Sequence, residues 1–90
     1  MIYAVLDLDT VESREELHRQ LRQILPLPAW YGDNLDALYD YLTDPEENLQ
    51  LTLLHTQPFL TRLGHYGESF LHLLADVQQE NPRFQVLFST

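Results

Sequence analysis

The sequence lacks the residues on which many reactive sites depend. It has no cysteine, which excludes disulfides, thiolate metal sites and a cysteine nucleophile. All five basic residues are arginine, and the absence of lysine excludes a Walker-type phosphate loop and Schiff-base chemistry. The four histidines have no metal-binding spacing. We therefore expect neither a metal ion nor a cofactor.

Long apolar runs are also missing. No stretch approaches the ~18 residues that a membrane-spanning helix needs. The N-terminal segment has no basic region, and acidic residues interrupt its apolar stretch, which is unlike a signal peptide. These features predict a cytoplasmic protein that does not bind membranes.

Positive charge is scarce. Fourteen acidic residues stand against five arginines, which gives a formal net charge of −9. Such a chain repels nucleic acid, whose binding depends on Lys and Arg neutralising phosphates. It favours a basic protein partner and fast association at low salt.

The remaining pattern predicts one domain over residues 1–90, because a chain of this length is too short for two. Ser13 and Glu16 have the spacing of a capping box at the start of an amphipathic helix, and Pro26 ends that helix. Asp33 or Asn34 is suited to cap a second helix. The predicted strands are Ile2–Leu8, which we expect to be buried, Leu49–His55 and Phe84–Phe88. The predicted helices run from Ser13 to Leu25, from Asn34 to near Asp44-Pro45, from Gln57 to Leu63 and from Glu68 to Glu80.

This order, β-α-α-β-α-α-β, predicts an α/β fold with a small three-stranded parallel sheet packed with about four helices. Gly64 and Gly67 are expected to break the chain between the last two helices, and Gly32 to supply a turn conformation that bulkier residues avoid. Four tyrosines are expected to be packing residues: Tyr3, Tyr31, Tyr41 and Tyr66.

The stretch from Gln23 to Leu54 contains acidic residues and no Lys, Arg or His. Asp36 and Asp40 are one helical turn apart, where like charges normally destabilise a helix. At about 100° per residue they share a face with Tyr39 and Thr43, away from the apolar stripe of the second helix. Each of these residues alone has an ordinary structural explanation, but together they indicate a protein-binding surface of carboxylates and aromatic rings.

The segment from Leu27 to Thr43, LPAWYGDNLDALYDYLT, closely resembles the signature of the barstar family of intracellular inhibitors of barnase-type ribonucleases. The resemblance extends to the chain length, the acidic balance, the Gly67-Glu-Ser69 segment and the apolar C-terminal strand. It implies a three-stranded parallel sheet packed with helices, which agrees with the order of elements predicted above.

The resemblance also implies a function and a set of contact residues. The second helix and the loop before it would block the active site of a basic ribonuclease, one-to-one, with carboxylates in the places of RNA phosphates. Asp40 matches the strongest contact position of the family. The other matching positions are Trp30, Asn34, Asp36, Tyr39, Thr43 and Asp76.

Three other functions stay open at this point. The chain could be an immunity protein against a different nuclease toxin, as one half of a toxin–antitoxin pair. It could also be an acidic module that binds a basic protein without inhibiting a nuclease. A small hydrolase using Asp36 and Asp40 would need an enclosed cleft and a raised carboxyl pKa, which an exposed helix does not favour.

Overall fold

A computed structural model describes residues 1–43 and 48–89. It confirms the predicted order of elements and the α/β fold with a parallel sheet. The elements are β1 (Ile2–Asp7), α1 (Arg14–Ile24), α2 (Leu35–Thr43), β2 (Leu49–Leu54), α3 (Thr56–Leu63), α4 (His65–Glu80) and β3 (Phe84–Ser89), with a 3-10 turn over Leu8–Thr10. The predicted end of α2 near Asp44-Pro45 lies outside the described residues.

The three strands lie side by side in sequence order, β1-β2-β3, and all are parallel. Ala4, Leu51 and Val86 occupy one row across the sheet, and all three are buried. When strand order follows sequence order, right-handed crossovers place every connecting helix on the same face of the sheet. The helices therefore cover one face and leave the other open.

The open face corrects two predictions. The first strand is not buried throughout, because Tyr3 and Val5 point away from the helices and are 68% and 56% exposed. Tyr3 is thus not a packing residue, whereas Tyr31 is buried and Tyr41 and Tyr66 pack against the core. A continuous apolar run does not reveal this difference, since strands covered on both faces and on one face can have the same composition.

The core lies between the covered face of the sheet and the helices. It contains Phe59 and Phe70, whose rings meet edge to face with centroids 5.8 Å apart. At the start of α1 the Ser13 hydroxyl accepts from the Glu16 amide at 3.1 Å, which confirms the predicted cap. The Glu16 carboxylate contacts Arg19 and Gln20 instead of completing a capping box. Within residues 1–43 and 48–89, no helix is long and apolar enough to cross a membrane.

The two glycines between α3 and α4 behave differently from each other. Gly64 has φ +56° and separates the helices, as predicted. The prediction for Gly67 was wrong, since α4 begins at His65 and contains Gly67. A Cβ atom at Gly67 would lie 3.2 Å from Cε2 of Phe59, so the absence of a side chain allows α4 to pack closely against α3.

Candidate protein-binding site

The loop before α2 sets where this helix begins. The Asn34 side-chain oxygen accepts a hydrogen bond from the Ala37 amide at 2.8 Å. Asn34, and not Asp33, is therefore the residue that caps α2. The prediction for Gly32 was wrong, because the left-handed conformation belongs to Asp33, with φ +56°. Gly32 instead gives room to its neighbour: a Cβ there would lie 3.0 Å from the side-chain nitrogen of Asn34.

The predicted buried stripe of α2 comprises Leu35, Leu38 and Leu42; Leu38 and Leu42 are fully inaccessible, whereas Leu35 is half-buried and lines a cleft. Asp36 and Asp40 lie on the opposite side and are exposed. Thr43 is half-buried, and its hydroxyl donates to the backbone carbonyls of Tyr39 and Asp40. The helix therefore presents two carboxylates to solvent, one turn apart.

Tyr39 connects α2 with α4. Its hydroxyl donates a hydrogen bond to the Glu80 carboxylate, which raises the pKa of Tyr39 above its ordinary value. Partial burial and the negative charges of Glu80, Asp76 and Asp40 raise that pKa further. The negative charges of Asp40 on α2 and of Asp76 on α4 thus both act on the Tyr39 hydroxyl.

A second contact fixes the same pair of helices. Asn81, which follows α4 and is 7% exposed, donates from its side-chain nitrogen to the Leu42 carbonyl at 2.9 Å. This bond satisfies a carbonyl in the last turn of α2, where intrahelical partners run out. The C-terminal halves of α2 and α4 are therefore held side by side.

The two aromatic residues of the loop have opposite environments. Trp30 is 59% exposed, whereas Tyr31 is 3% exposed. The Tyr31 hydroxyl is hydrogen-bonded to Nδ1 of His18 at 2.5 Å, and Nε2 of His18 is hydrogen-bonded to the Tyr66 hydroxyl at 2.7 Å. Burial lowers the pKa of His18 and raises that of Tyr31. The buried His18 cluster anchors the loop while Trp30 stays available to solvent.

A cleft of about 510 Å³ opens beside the N-terminus of α2. Asn34 and Asp36 line it, and Trp30 is not part of its wall. The other lining residues are Arg14, Glu15, His18, Asp33, Leu35 and Tyr66. The seven predicted residues therefore fall into three places: Asn34 and Asp36 at the cleft, Tyr39, Asp40 and Thr43 further along α2 with Asp76 on the neighbouring α4, and Trp30 in the loop. We call these seven residues the acidic–aromatic surface.

Two residues that position this surface escaped the sequence analysis. Glu80 bonds a residue 41 positions away, and Asn81 one 39 positions away. Neither pair has a local signature, and the Asn81-Pro82 sequence by itself indicates only the end of a helix. The available signal was the position of Glu80 in the sequence. On a continuous last helix, Glu80 lies one turn beyond Asp76, on the same face.

The residue types of this surface suit protein binding. Asp36 and Asp40 are exposed, whereas a general acid needs an environment that keeps a carboxyl protonated. In the part of the chain that the structure describes, no three His, Asp or Glu side chains are grouped to hold a metal ion. Exposed carboxylates next to aromatic rings suit a basic protein partner, because arginine binds carboxylates through two parallel hydrogen bonds.

Comparison with known proteins decides the family. The family model described as Barstar (barnase inhibitor) matches residues 1–89. The chain belongs to the barstar family. The chain is also similar to a curated protein of Bacillus subtilis (strain 168) named "Putative ribonuclease inhibitor YrdF". It is 36% identical over 77 residues, which cover 84% of this chain and 85% of the relative. Membership of the barstar family supports ribonuclease inhibition at the level of the family and fits a protein that is not an enzyme.

Proposed function

We propose that this chain inhibits a basic ribonuclease by covering its active site with the acidic–aromatic surface, in a one-to-one complex. The observation that carries the proposal is the position of Asp40: it is exposed on α2 and follows Tyr39, whose hydroxyl is hydrogen-bonded to Glu80 of α4. A ribonuclease site must be basic to hold RNA phosphates, so a row of carboxylates fits the same groups as the substrate. Family membership independently supports a ribonuclease as the partner.

Each member of the surface has a role in this proposal. Asp40 is the main anchor, and Asp36 and Asp76 provide further negative charge. Trp30 and Tyr39 supply aromatic contact area, of the kind that dominates interface energetics. Asn34 and Thr43 border the carboxylates with polar groups. A net charge of −9 speeds the encounter with a basic enzyme.

Inhibition kinetics test the proposal. Cleavage of a fluorogenic RNA by a purified barnase-type ribonuclease is followed while this protein is titrated in, at low and at moderate salt. The expected result is inhibition that is complete at one equivalent, competitive with RNA and slower to form at higher salt. Inhibition that leaves RNA binding intact would contradict a direct block of the active site.

Two alternatives are tested by adding other candidate partners to the same assay. If the protein does not inhibit this ribonuclease but inhibits a toxic nuclease encoded beside its own gene, it is an immunity protein for a different toxin. A protein that binds basic proteins without lowering any nuclease activity would be an acidic binding module.

A further inference from the structure

Arg22, in the last turn of α1, makes three contacts with the loop that precedes α2. Its Nε donates to the Asp33 carboxylate at 2.7 Å, and its Nη2 donates to the Tyr31 carbonyl, also at 2.7 Å. Its guanidinium carbon lies 5.3 Å from the centroid of the Tyr31 ring. A single side chain thus holds the backbone, the ring and a carboxylate on both sides of Gly32.

The loop needs such support because its conformation is strained. Asp33 has φ +56°, in the left-handed region that residues with a Cβ atom seldom adopt. It is joined directly to Asn34, which caps α2. Trp30 is joined directly to Tyr31 on the other side. The positions of Trp30 and Asn34 therefore both depend on the segment that Arg22 holds.

From this geometry we propose that Arg22 is a positioning residue for partner binding, which keeps residues 30–34 in the conformation that presents Trp30 and Asn34. The inference rests on the proposed function for its consequence in binding, but the loop conformation can be measured in the free protein. Arg22 needs no contact with the partner for this role.

The charge of Arg22 allows a positioning role to be distinguished from a purely electrostatic one. A cation close to a surface that binds a basic protein opposes the approach of that protein. If Arg22 acted only through its charge, removing it would strengthen binding. If it positions the loop, removing it weakens binding, because the loop must be ordered when the complex forms. The two roles thus predict changes of opposite sign.

Arg19 provides the matched control. It lies on the same helix, carries the same charge and pairs within α1 with Glu16, its Nε donating to that carboxylate at 3.0 Å. Arg19→Ala and Arg22→Ala change the net charge equally, so they alter long-range attraction to a basic enzyme to a similar degree. Arg22→Lys keeps the charge but cannot make the forked contact with Tyr31 and Asp33. It also serves if Arg22→Ala fails to fold.

The first measurement uses the free protein. Trp30 is the chain's single tryptophan, so the decay of its fluorescence anisotropy reports on this loop alone. We expect faster local motion of Trp30 in Arg22→Ala and Arg22→Lys than in the parent, and no change in Arg19→Ala, with the folded fraction checked by circular dichroism. Equal anisotropy decays in all four proteins would overturn the proposal, whether or not the chain binds a ribonuclease.

The second measurement follows association with a purified barnase-type ribonuclease and dissociation from it. We expect both Arg22 variants to dissociate about tenfold faster than the parent, the size expected for losing a hydrogen bond to a charged group, while Arg19→Ala dissociates as the parent does. If Arg22→Ala dissociates at the rate of the parent and associates faster, as Arg19→Ala does, Arg22 acts only through its charge. That result would overturn its role as a positioning residue in binding. A parent that does not bind at all would refute the proposed function, and the anisotropy comparison would still decide whether Arg22 orders the loop.

Discussion

The Tyr39 hydroxyl on α2 is hydrogen-bonded to the Glu80 carboxylate on α4, and this bond links the two helices that carry Asp40 and Asp76. The link sets the Tyr39 ring between acidic groups, whose charges raise the pKa of Tyr39. It therefore has a structural effect, in joining the helices, and a functional one, in fixing the spacing of the carboxylates that the proposed partner would meet.

The Tyr39–Glu80 bond should contribute modestly to stability. Tyr39→Phe keeps the ring and removes the hydroxyl, so we expect a small fall in the free energy of unfolding, as for a solvent-exposed hydrogen bond. Urea denaturation of Tyr39→Phe, Glu80→Ala and the double variant measures it. Glu80→Ala also relieves repulsion with Asp76, so the coupling energy of the cycle is the decisive quantity. Strictly additive effects would contradict an energetic link between the helices.

His18 should make the protein less stable in mild acid. Burial lowers the pKa of His18 in the folded state, so the unfolded chain binds a proton more readily. Stability is then greatest above the unfolded value of about 6.5 and falls as the pH drops below it, with a slope of at most roughly 1.4 kcal/mol per pH unit. Urea denaturation between pH 7.5 and 5.5 measures this slope, a window chosen as about one unit either side of the unfolded value.

His55 opposes this effect and supplies a control. Its Nδ1 lies 2.8 Å from the Asp7 carboxylate, and this hydrogen bond raises the pKa of His55. The pair stabilises the fold below the unfolded pKa, and its contribution is lost as the pH rises through the folded pKa. His55→Gln should therefore steepen the loss of stability in acid. A NMR titration in which the His18 imidazole ionises above its ordinary pKa would contradict the account.

Gly67 should not tolerate a side chain, although it lies within a helix. Replacing a helical glycine by alanine normally stabilises by up to about 1 kcal/mol. At Gly67 the new Cβ would lie 3.2 Å from the ring of Phe59, which is completely buried and has little freedom to move. We expect Gly67→Ala to be less stable than the parent in thermal denaturation. A higher melting temperature would contradict this prediction, because it would mean that α3 and α4 accommodate the new methyl group without loss of stability.

The sequence predicted those features whose signals are local. The Asn34 cap and the buried Leu38 and Leu42 follow from spacing within one helix, and the structure confirms them. Gly67 was misplaced because its role depends on Phe59 of another helix. The exposure of Tyr3 depends on which face of the sheet the helices cover, a property of the strand order and not of β1 itself.

The same difference between local and long-range signals applies to the candidate site. Its seven residues could be named from one short motif and an acidic residue of the last helix. The contacts that position them could not, because Glu80, Asn81 and the His18 cluster act on residues distant in sequence or through buried hydroxyl groups. The left-handed backbone conformation of Asp33 could not be predicted either, because the neighbouring Gly32 is the residue type that adopts this conformation more readily.

The affinity of the Asp40→Ala variant for a purified barnase-type ribonuclease tests the central claim most directly. Glu12→Ala is the control, because it removes the same charge from an exposed residue in the connection before α1. We predict that Asp40→Ala weakens the complex by at least about 2 kcal/mol, a hot-spot size measured on interfaces that include this family. Its stability to urea should match that of the parent, and Glu12→Ala should bind nearly as tightly as the parent. Equal losses of affinity in the two variants would show that net charge, and not Asp40 on α2, holds the partner.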